Sequence, residues 1–376
     1  MEDKLITIAT HTYSRAELLK GWLESEGIQC FLKNVNLIQG SAPGGVKVRI
    51  HHKDVEKALR LIMLIEQDYK EDDLISEEKI KKVGKILVPV DFSENSKIAC
   101  NVALGLAEKY NAEIYLFHVY FSHAMEVIPV TDTYSTQINL EHIIKEIETK
   151  AQNDIKILAS EIKDKLKKEN ITNVKINYSI SLGQPDEEIL HMSKTYKPGI
   201  IVMGLKGKDK TVKNEAGSVT QSLVKDAKVP VLIIPENISY KNIKDFDNIN
   251  ELMYITDFDD SDYLALRKLM NIVSPLDVKI HCIHIGPDSK NPWDIVKIDQ
   301  LKEYFKKVQS KIKIECNLIE KEDILKGVKD YIEKNKINIV SVTTHKRNII
   351  SKIFSPSITD KLLTKLKIPI LVFHSK

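Results

Sequence analysis

The chain has 376 residues, of which 56 are basic and 53 acidic, so its formal net charge is only +3. Hydrophobic residues make up 43% of the sequence and charged residues 29%. These values are typical of a globular protein and exclude a wholly disordered chain. At roughly 150 residues per domain, the length predicts two or three domains. The balanced charge argues against nucleic-acid binding through bulk electrostatics.

The sequence shows no pattern of a metal cage, a disulfide framework or a membrane anchor. His281 and His284 lie three apart in a predicted strand, so they point to opposite faces and do not share a metal. The first residues lack the features of a signal peptide, and the apolar runs are much shorter than the roughly 20 residues of a membrane span. We therefore expect a cytoplasmic protein with no metal site and no membrane contact. No C-x-x-C pair occurs among the four cysteines, which are Cys30, Cys100, Cys282 and Cys316.

Residues 1–66 are predicted to form a small α+β domain, because apolar residues alternate in some segments and recur at helical spacing in others. The predicted elements are a strand at 5–9, a helix at 14–26 that ends at Gly27, strands at 28–32 and 46–50, and a helix at 55–65. Residues 67–84 are mostly charged, which predicts a linker without a core of its own.

Residues 85–240 alternate strictly between predicted strands and helices. Continuous apolar runs such as 85–90 are typical of buried parallel strands. Because strand–helix–strand connections within one sheet are right-handed, the alternation predicts a doubly wound parallel sheet with helices on both faces. The predicted strands are 85–90, 113–119, 174–180, 199–203 and 230–234, and the predicted helices include 140–168, 184–196 and 219–225.

Residues 250–376 repeat this pattern, which indicates a tandem duplication. An apolar strand ends in Asp257-Phe258 here, as one ends in Asp91-Phe92 in the first copy, and the later strands match in the same order. The second copy is shorter, and the loss falls after its second strand. The predicted fold class is α/β, with two tandem doubly wound parallel five-stranded sheets of Rossmann-like order 3-2-1-4-5, preceded by the small α+β domain.

A glycine motif of the form G-x2-G-x9-G-S lies near the end of the first copy. Its members are Gly204, Gly207, Gly217 and Ser218, with Met203 before them and Val219-Thr220 after them. Phosphate oxygens need main-chain N–H donors at close approach, and glycine has no Cβ to obstruct them. A helix that opens at Gly217-Ser218 adds oriented donors, and the Ser218 hydroxyl can serve as its N-cap or as a phosphate donor.

Asp91 lies at the carboxyl end of the first strand of this copy. In an open α/β sheet, ligands bind outside the strand carboxyl ends where the strand order reverses. If it reverses between the first and fourth strands, Asp91 and Gly204 border one crevice, and the carboxylate suits a ribose hydroxyl or an adenine amino group. Alternatively, Asp91 only caps the following helix, for which Ser93 is the better cap. The residues alone leave both interpretations open.

Residues 85–235 resemble the universal stress protein family in its ATP-binding branch, through Pro89–Glu94, His118-Val119 and the glycine motif. The resemblance implies ATP as ligand, with or without Mg²⁺, and no catalytic residue. It places Asp91 and Val119 at the adenine or ribose. Lys206 departs from the residue usual in the family but keeps a positive charge near the phosphates. The other implied binding residues are Pro89, Val90, Met203, Gly204, Gly207, Gly217, Ser218, Val219 and Thr220.

The second copy resembles a degenerate member of the same family. It keeps Asp257, but Thr343, Lys346 and Pro356 occupy the three glycine positions, with Ser357 next. Side chains would crowd a phosphate, and proline has no N–H, so we expect no ATP binding in the family manner. The basic residues 345–347 either hold another anion or form a solvated loop. Residues 1–66 more loosely resemble a small prokaryotic domain described as signal-transducing, which implies regulation but names no ligand.

The expected function is that of a regulatory ATP-binding stress-response protein, in which ATP orders residues 205–216 and so reports occupancy to an unknown protein partner or to the second copy. Resemblance to family dimers implies that the two copies pair along their last strands, 229–234 against 368–373. A weak ATP hydrolase and a nucleotide-independent interaction module are the alternatives. The sequence leaves homodimerisation open, and we expect no nucleic-acid partner.

Overall fold

The computed structural model describes residues 5–11, 16, 19–21, 23–24, 26–34, 46–59, 61, 83–120, 135–207, 216–236, 238, 249–256, 260–286, 295, 298–299, 301–302, 312–344 and 356–374. The predicted boundaries after residues 66 and 240, the loop at 208–215, Asp257 and the basic segment 345–347 lie outside these residues. The domain limits therefore stay predictions. The chain divides into two compact units, 1–79 with 290–301 and 80–289 with 302–376.

The first unit contains an antiparallel sheet of order β1-β3-β2, formed by Leu5–His11 (β1), Cys30–Asn34 (β2) and Val46–His51 (β3). Alternate residues of β3 are buried, and helical residues 55–59 add Val55, Ala58 and Leu59 to the core. The predicted α+β fold is confirmed. β2 begins two residues later than predicted, because Ile28 N–H bonds back to Leu23 O at 2.9 Å and closes the preceding helical turn at Gly27, whose φ is +78°.

The strands of the second unit form, among the described residues, one ten-stranded sheet of order β11-β10-β9-β12-β13-β8-β7-β4-β5-β6. Each copy by itself has the order 3-2-1-4-5, as predicted. The first copy's strands are Lys85–Pro89 (β4), Glu113–Tyr120 (β5), Lys175–Leu182 (β6), Ile200–Gly204 (β7) and Val231–Ile234 (β8). The second copy's strands are Glu251–Ile255 (β9), Lys279–Gly286 (β10), Lys313–Glu320 (β11), Ile339–Thr344 (β12) and Ile370–His374 (β13).

The two copies join through their last strands, as expected. β8 pairs with β13 antiparallel, with Val231 opposite Val372 and Ile233 opposite Ile370. All other pairings in this sheet are parallel. One hydrophobic core runs through both copies at this junction and includes Leu223, Val231, Leu362 and Val372.

The helices of the second unit are Glu94–Tyr110 (α1), Ser135–Lys168 (α2), Pro185–Tyr196 (α3), Ser218–Asp226 (α4), Asp260–Val273 (α5), Ile324–Asn335 (α6) and Pro356–Lys365 (α7). The segment between β10 and β11 is shorter than its counterpart between β5 and β6, which confirms where the second copy is reduced. Because β4 and β7 are neighbours, their carboxyl ends share one edge of the sheet. The following segments, 90–93 and 205–207, therefore lie side by side.

Candidate functional site

The segment after β4 turns sharply and is held by its own side chains. Phe92 has φ +62°, a left-handed conformation that non-glycine residues adopt rarely. Asp91 Oδ1 accepts hydrogen bonds from Ser93 N at 3.0 Å and from Ser93 Oγ at 2.6 Å. Ser93 in turn is the N-cap of α1, since its Oγ accepts from Ser96 N at 3.2 Å. Ser93 is thus the cap, and Asp91 fixes the cap in place.

His118 buttresses this turn from the neighbouring strand. Its Nδ1 donates to Val90 O at 2.7 Å, and its ring lies 4.5 Å from the Phe92 ring, centroid to centroid. Val90 N–H also bonds to Phe117 O at 2.9 Å. These contacts explain how a strained turn persists at the end of β4.

The first two glycines of the motif are required by protein neighbours. A Cβ on Gly207 would lie 2.5 Å from Asp91 Oδ2, and a Cβ on Gly204 would lie 2.7 Å from Asn95 Nδ2. Real Cβ atoms do not approach so closely, so larger residues would displace Asp91 or Asn95. The structure therefore brings Asp91 against the glycine segment, as predicted, and explains part of the motif by packing.

Asn95 is a site residue that the sequence analysis missed. It is only 6% exposed, and its Nδ2 donates to Lys206 O at 3.2 Å. Its Oδ1 is buried and has no hydrogen-bond partner among the described residues. The available signal was an asparagine in the first turn of the helix that follows Asp91. An asparagine there is common enough to pass unnoticed.

The start of α4 presents main-chain N–H groups at three of the four predicted positions 217–220. Gly217 is the N-cap, and its N–H is used internally, donating to Leu205 O at 3.0 Å. The first intrahelical bond runs from Gln221 N to Gly217 O. The N–H groups of Ser218, Val219 and Thr220 therefore precede the helical ladder and point out of its positive end.

Two motif side chains differ from expectation in their roles. Ser218 is not the N-cap: it is the first residue of α4 and is exposed, so its hydroxyl remains a candidate phosphate donor. Thr220 is 2% exposed, and its Oγ1 contacts Gly204 O at 3.2 Å and Leu205 O at 3.1 Å. The Thr220 hydroxyl thus ties the helix to the end of β7, which leaves its main-chain N–H as its available donor.

The remaining predicted residues are apolar or charged neighbours of these groups. Pro89, Val90, Val119 and Met203 are buried, and they form part of the apolar packing beneath the strand ends. Lys206 is half-buried and lies within the glycine segment. The Asp91 carboxylate, the N-terminus of α4 and Lys206 lie along one edge of the sheet. This combination suits an anionic ligand that also carries hydroxyl groups.

These residues fit an adenine nucleotide. The three N–H groups of α4 suit phosphate oxygens, and the Asp91 carboxylate suits a hydroxyl or amino donor. Among the described residues, no group of three or more His, Cys, Asp or Glu side chains could hold a metal ion. Within that same part of the chain, no helix is long and apolar enough to cross a membrane.

The second copy keeps the histidine contact of this site and places larger residues at two of its glycine positions. His284 Nδ1 donates to Thr256 O at 2.8 Å, the counterpart of the His118 contact. Thr343 stands where the first copy has Gly204, and its Oγ1 lies 2.8 Å from Tyr254 Oη, both side chains being fully buried. α7 begins with Pro356, which has no N–H to offer.

The second copy also contacts the far end of α4. His374 Nε2 lies 2.8 Å from Val224 O and 3.1 Å from Leu223 O, which are carbonyls of the last turn. Thr344 Oγ1 lies 3.5 Å from Val224 O. The helix whose first turn faces the crevice is thus held at its last turn by the other copy.

Comparison with known proteins identifies two families in this chain. Residues 82–235 match the model of the universal stress protein family, and residues 7–66 match a family described as "Putative prokaryotic signal transducing protein". The chain thus carries a universal stress protein domain, preceded by a domain of the second family. The resemblances of residues 85–235 and of residues 1–66 are confirmed, whereas that of the second copy stays a prediction.

Individual relatives agree with this assignment. The chain is 28% identical over 150 residues to universal stress protein MJ0531 of Methanocaldococcus jannaschii, covering 40% of this chain and 81% of that protein. It is 28% identical over 151 residues to universal stress protein MJ0577 of the same organism, covering 40% and 93%. A solved universal stress protein from Archaeoglobus fulgidus is 20% identical, with a TM-score of 0.59, covering 78% of this chain and 99% of its own. That last likeness shows the fold alone.

Proposed function

We propose that the universal stress protein domain at residues 82–235 binds ATP in the crevice between the ends of β4 and β7, and that the protein acts through occupancy of this site. It would be a regulatory nucleotide-binding protein of a stress response rather than an enzyme. The observation that carries the proposal is the first turn of α4. There, the N–H groups of Ser218, Val219 and Thr220 open toward the edge of the sheet that holds Asp91.

Different groups in the crevice would bind different parts of the nucleotide. Phosphates would bind the α4 N–H groups and the charge of Lys206, because a helix N-terminus favours anions. The Asp91 carboxylate, whose Oδ1 is held by Ser93, would accept from a ribose hydroxyl or the adenine amino group. Val119 and Met203, both buried, would contribute to the apolar packing beneath the base.

Occupancy would reach the second copy through α4. A ligand on the first turn of this helix stiffens an element whose last turn bonds to His374 at 2.8 Å. The described ends of the glycine loop, Lys206-Gly207 and Ala216-Gly217, flank the same helix. A protein partner that responds to ATP would therefore contact either this loop or the second copy. The partner itself stays a prediction.

The weak-hydrolase alternative finds less support. Asp91 Oδ1 already accepts two hydrogen bonds from Ser93, the role of a positioning group. The Thr220 hydroxyl is directed to the carbonyls of Gly204 and Leu205. A general base must reach the attacking water. The hydrogen bonds of Asp91 and Thr220 instead hold the turn after β4 and the start of α4 in place. We expect phosphate release from ATP to stay at the background rate.

The test begins with freshly purified protein, which is denatured so that released nucleotide can be identified by mass spectrometry. We expect about one adenine nucleotide per chain. Nucleotide-free protein is then titrated with ATP by calorimetry, alongside Ser218→Pro. Gly217 has ψ 147°, a conformation compatible with a following proline, and proline is favoured at the first helical position. The variant therefore removes one outward N–H while keeping the helix.

Ser218→Ala is the matched control, because it keeps the N–H and removes the hydroxyl. Losing a charge-assisted hydrogen bond of about 1.5–3 kcal/mol should weaken ATP binding in Ser218→Pro by about tenfold or more. If Ser218→Ala weakens binding equally, the hydroxyl rather than the helix N–H carries the contact. Two nucleotides per chain would contradict the predicted loss of the second site. No released nucleotide and no heat of ATP binding would favour the interaction module.

A further inference from the structure

Two cysteines lie side by side in the second copy. Cys282 of β10 and Cys316 of β11 are register partners in a parallel pair. Neighbouring strands are about 4.8 Å apart, which falls within the Cα separation of about 4.4–6.8 Å that disulfides require. Register partners also direct their side chains to the same face of the sheet. The backbone thus meets the condition on Cα separation for a cross-link.

The two thiols also interact with one another. Both cysteines are buried thiols, Cys282 being 0% and Cys316 6% exposed. A hydrogen bond from the Cys282 thiol lowers the pKa of Cys316, burial opposes this, and the positive charge of Lys302 assists it. Burial instead raises the pKa of Cys30 to about 11 and that of Cys100 to about 12. Cys316 is therefore more readily ionised than Cys30 or Cys100.

The cysteine pair is not needed by the fold. The first copy has the same strand pair, β5 with β6, and places Leu116 opposite Tyr178 at the equivalent register. A large apolar pair fills this position there. The second copy, whose crevice centre is filled by Thr343, thus carries two nucleophilic sulfurs where its twin carries inert side chains.

We propose that Cys282 and Cys316 form a dithiol site that hydrogen peroxide oxidises to an intrachain disulfide. Cys316 attacks one peroxide oxygen, the O–O bond breaks, and one water leaves as the Cys316 sulfenic acid forms. The Cys282 sulfur then attacks the sulfenic sulfur, its proton leaves with the hydroxyl as a second water, and the S–S bond forms. Both sulfurs are oxidised, and the peroxide is reduced to two waters.

The position of the two cysteines limits the size of the oxidant and determines what the disulfide would do. Among the described strands, β11 is the last of the sheet on its side. Because Cys316 is only 6% exposed, a water-sized oxidant is needed. The cross-link would tie the edge strand to β10. Edge elements open at lower free energy than central ones, so the disulfide would limit that opening.

The experiment is differential alkylation of the full chain. Native protein is treated with hydrogen peroxide, quenched, and unfolded in guanidinium with an alkylating reagent, and peptides are then mapped by mass spectrometry. We expect an intact mass lower by two hydrogen atoms, a cross-linked peptide containing Cys282 and Cys316, and full alkylation of Cys30 and Cys100. Dithiothreitol should restore four alkylated cysteines.

Single variants distinguish oxidation of the Cys282–Cys316 pair from general oxidation of cysteines. Cys282→Ala should leave Cys316 as a sulfenic or sulfinic acid with no mass loss, whereas Cys100→Ala should form the cross-link as the wild type does. Circular dichroism checks that each variant is folded, and the wild-type mapping decides the question should a variant fail to fold. Alkylation of both Cys282 and Cys316 after peroxide treatment, or sulfinic acid at Cys316 in the wild type, would overturn the proposal.

Discussion

The two copies of the strand–helix repeat share a strand order but differ at the ends of their central strands. In the first copy, glycines allow Asp91 and Asn95 to approach the segment after β7. In the second, the Thr343 hydroxyl takes the space and bonds to Tyr254. The histidine contact behind the first strand, 2.7 Å in one copy and 2.8 Å in the other, is unchanged.

The difference shows which features belong to the fold and which to the crevice. The main-chain bonds that set the register repeat in both copies, so they do not depend on a ligand. Glu113 N–Gly84 O at 3.0 Å has its counterpart in Lys279 N–Asn250 O at 2.8 Å. Among the described residues, the second copy lacks the small residue of Gly204, which Thr343 replaces, and the N–H of Gly217, which Pro356 replaces. The second copy still contacts the first, because β13 pairs with β8 and His374 bonds to the last turn of α4.

The largest effect is expected when the first copy receives the residue of the second. Gly204→Thr would place a Cβ 2.7 Å from Asn95 Nδ2, and overpacking of this kind costs about 1–3 kcal/mol. We expect a lower melting temperature and loss of ATP binding. In an Asn95→Ala background the stability cost should shrink, and an unchanged cost would show that Asn95 is not what requires the glycine.

Tyr254→Phe should weaken the second copy while sparing the first. It removes the partner of the fully buried Thr343 hydroxyl, and an unsatisfied buried hydroxyl costs about 1–3 kcal/mol. Chemical denaturation should show this loss, whereas the dissociation constant for ATP should stay that of the wild type. A parallel loss of ATP affinity would mean that the two copies are coupled more tightly than the contacts indicate.

His374→Ala should produce a smaller loss that involves both copies. Val224 O, in the last turn of α4, would lose its 2.8 Å contact with Nε2, and a typical hydrogen bond contributes about 1 kcal/mol. We expect slightly lower stability and a reduced thermal shift on adding ATP, because α4 is held less firmly. His374→Gln can still donate and should recover part of both effects. If His374→Ala shows the same ATP-induced thermal shift as the wild type, the contact at the last turn of α4 does not influence ATP binding.

The smallest effect is expected at the surface pair of the second copy's outer strands. Lys279 Nζ lies 2.7 Å from Glu315 Oε1, and this hydrogen bond lowers the pKa of Glu315 below its ordinary 4.5. A lowered pKa contributes stability above the unfolded value, and that stability is lost as pH falls through the folded value. Lys279→Met should raise the Glu315 pKa, measured by NMR titration, with little change in unfolding at neutral pH. An unshifted Glu315 would contradict the pairing.

The sequence was sufficient for the architecture because hydrophobic runs and their spacing decide it locally. Apolar runs defined the strands of both copies, and the repeated Asp-Phe at the ends of β4 and β9 revealed the duplication. Element ends were less accurate. α2 begins at Ser135 rather than near Leu140, and β2 begins at Cys30 rather than Ile28, because Ile28 N–H bonds back to Leu23 O.

The site was predictable as a set of positions but not as a set of roles. Asp91 and the glycine motif were found from the sequence, since glycine spacing and a strand-end carboxylate are visible there. Asn95 was not found, because its importance arises from the close approach of α1 to the end of β7 at Gly204. The use of the Gly217 N–H inside the loop, and the attachment of the Thr220 hydroxyl to the end of β7, required the packed backbone.

The sequence by itself determined that this chain holds a duplicated strand–helix unit, and that its first copy alone keeps the glycines a phosphate would need. Those facts lie in residue type and spacing. Only the tertiary structure decided which N–H groups are open, which carboxylate oxygen faces the glycine segment, and that His374 of one copy holds α4 of the other. Each of these depends on atoms distant in sequence, because hydrogen bonds and close contacts are formed in space rather than along the chain.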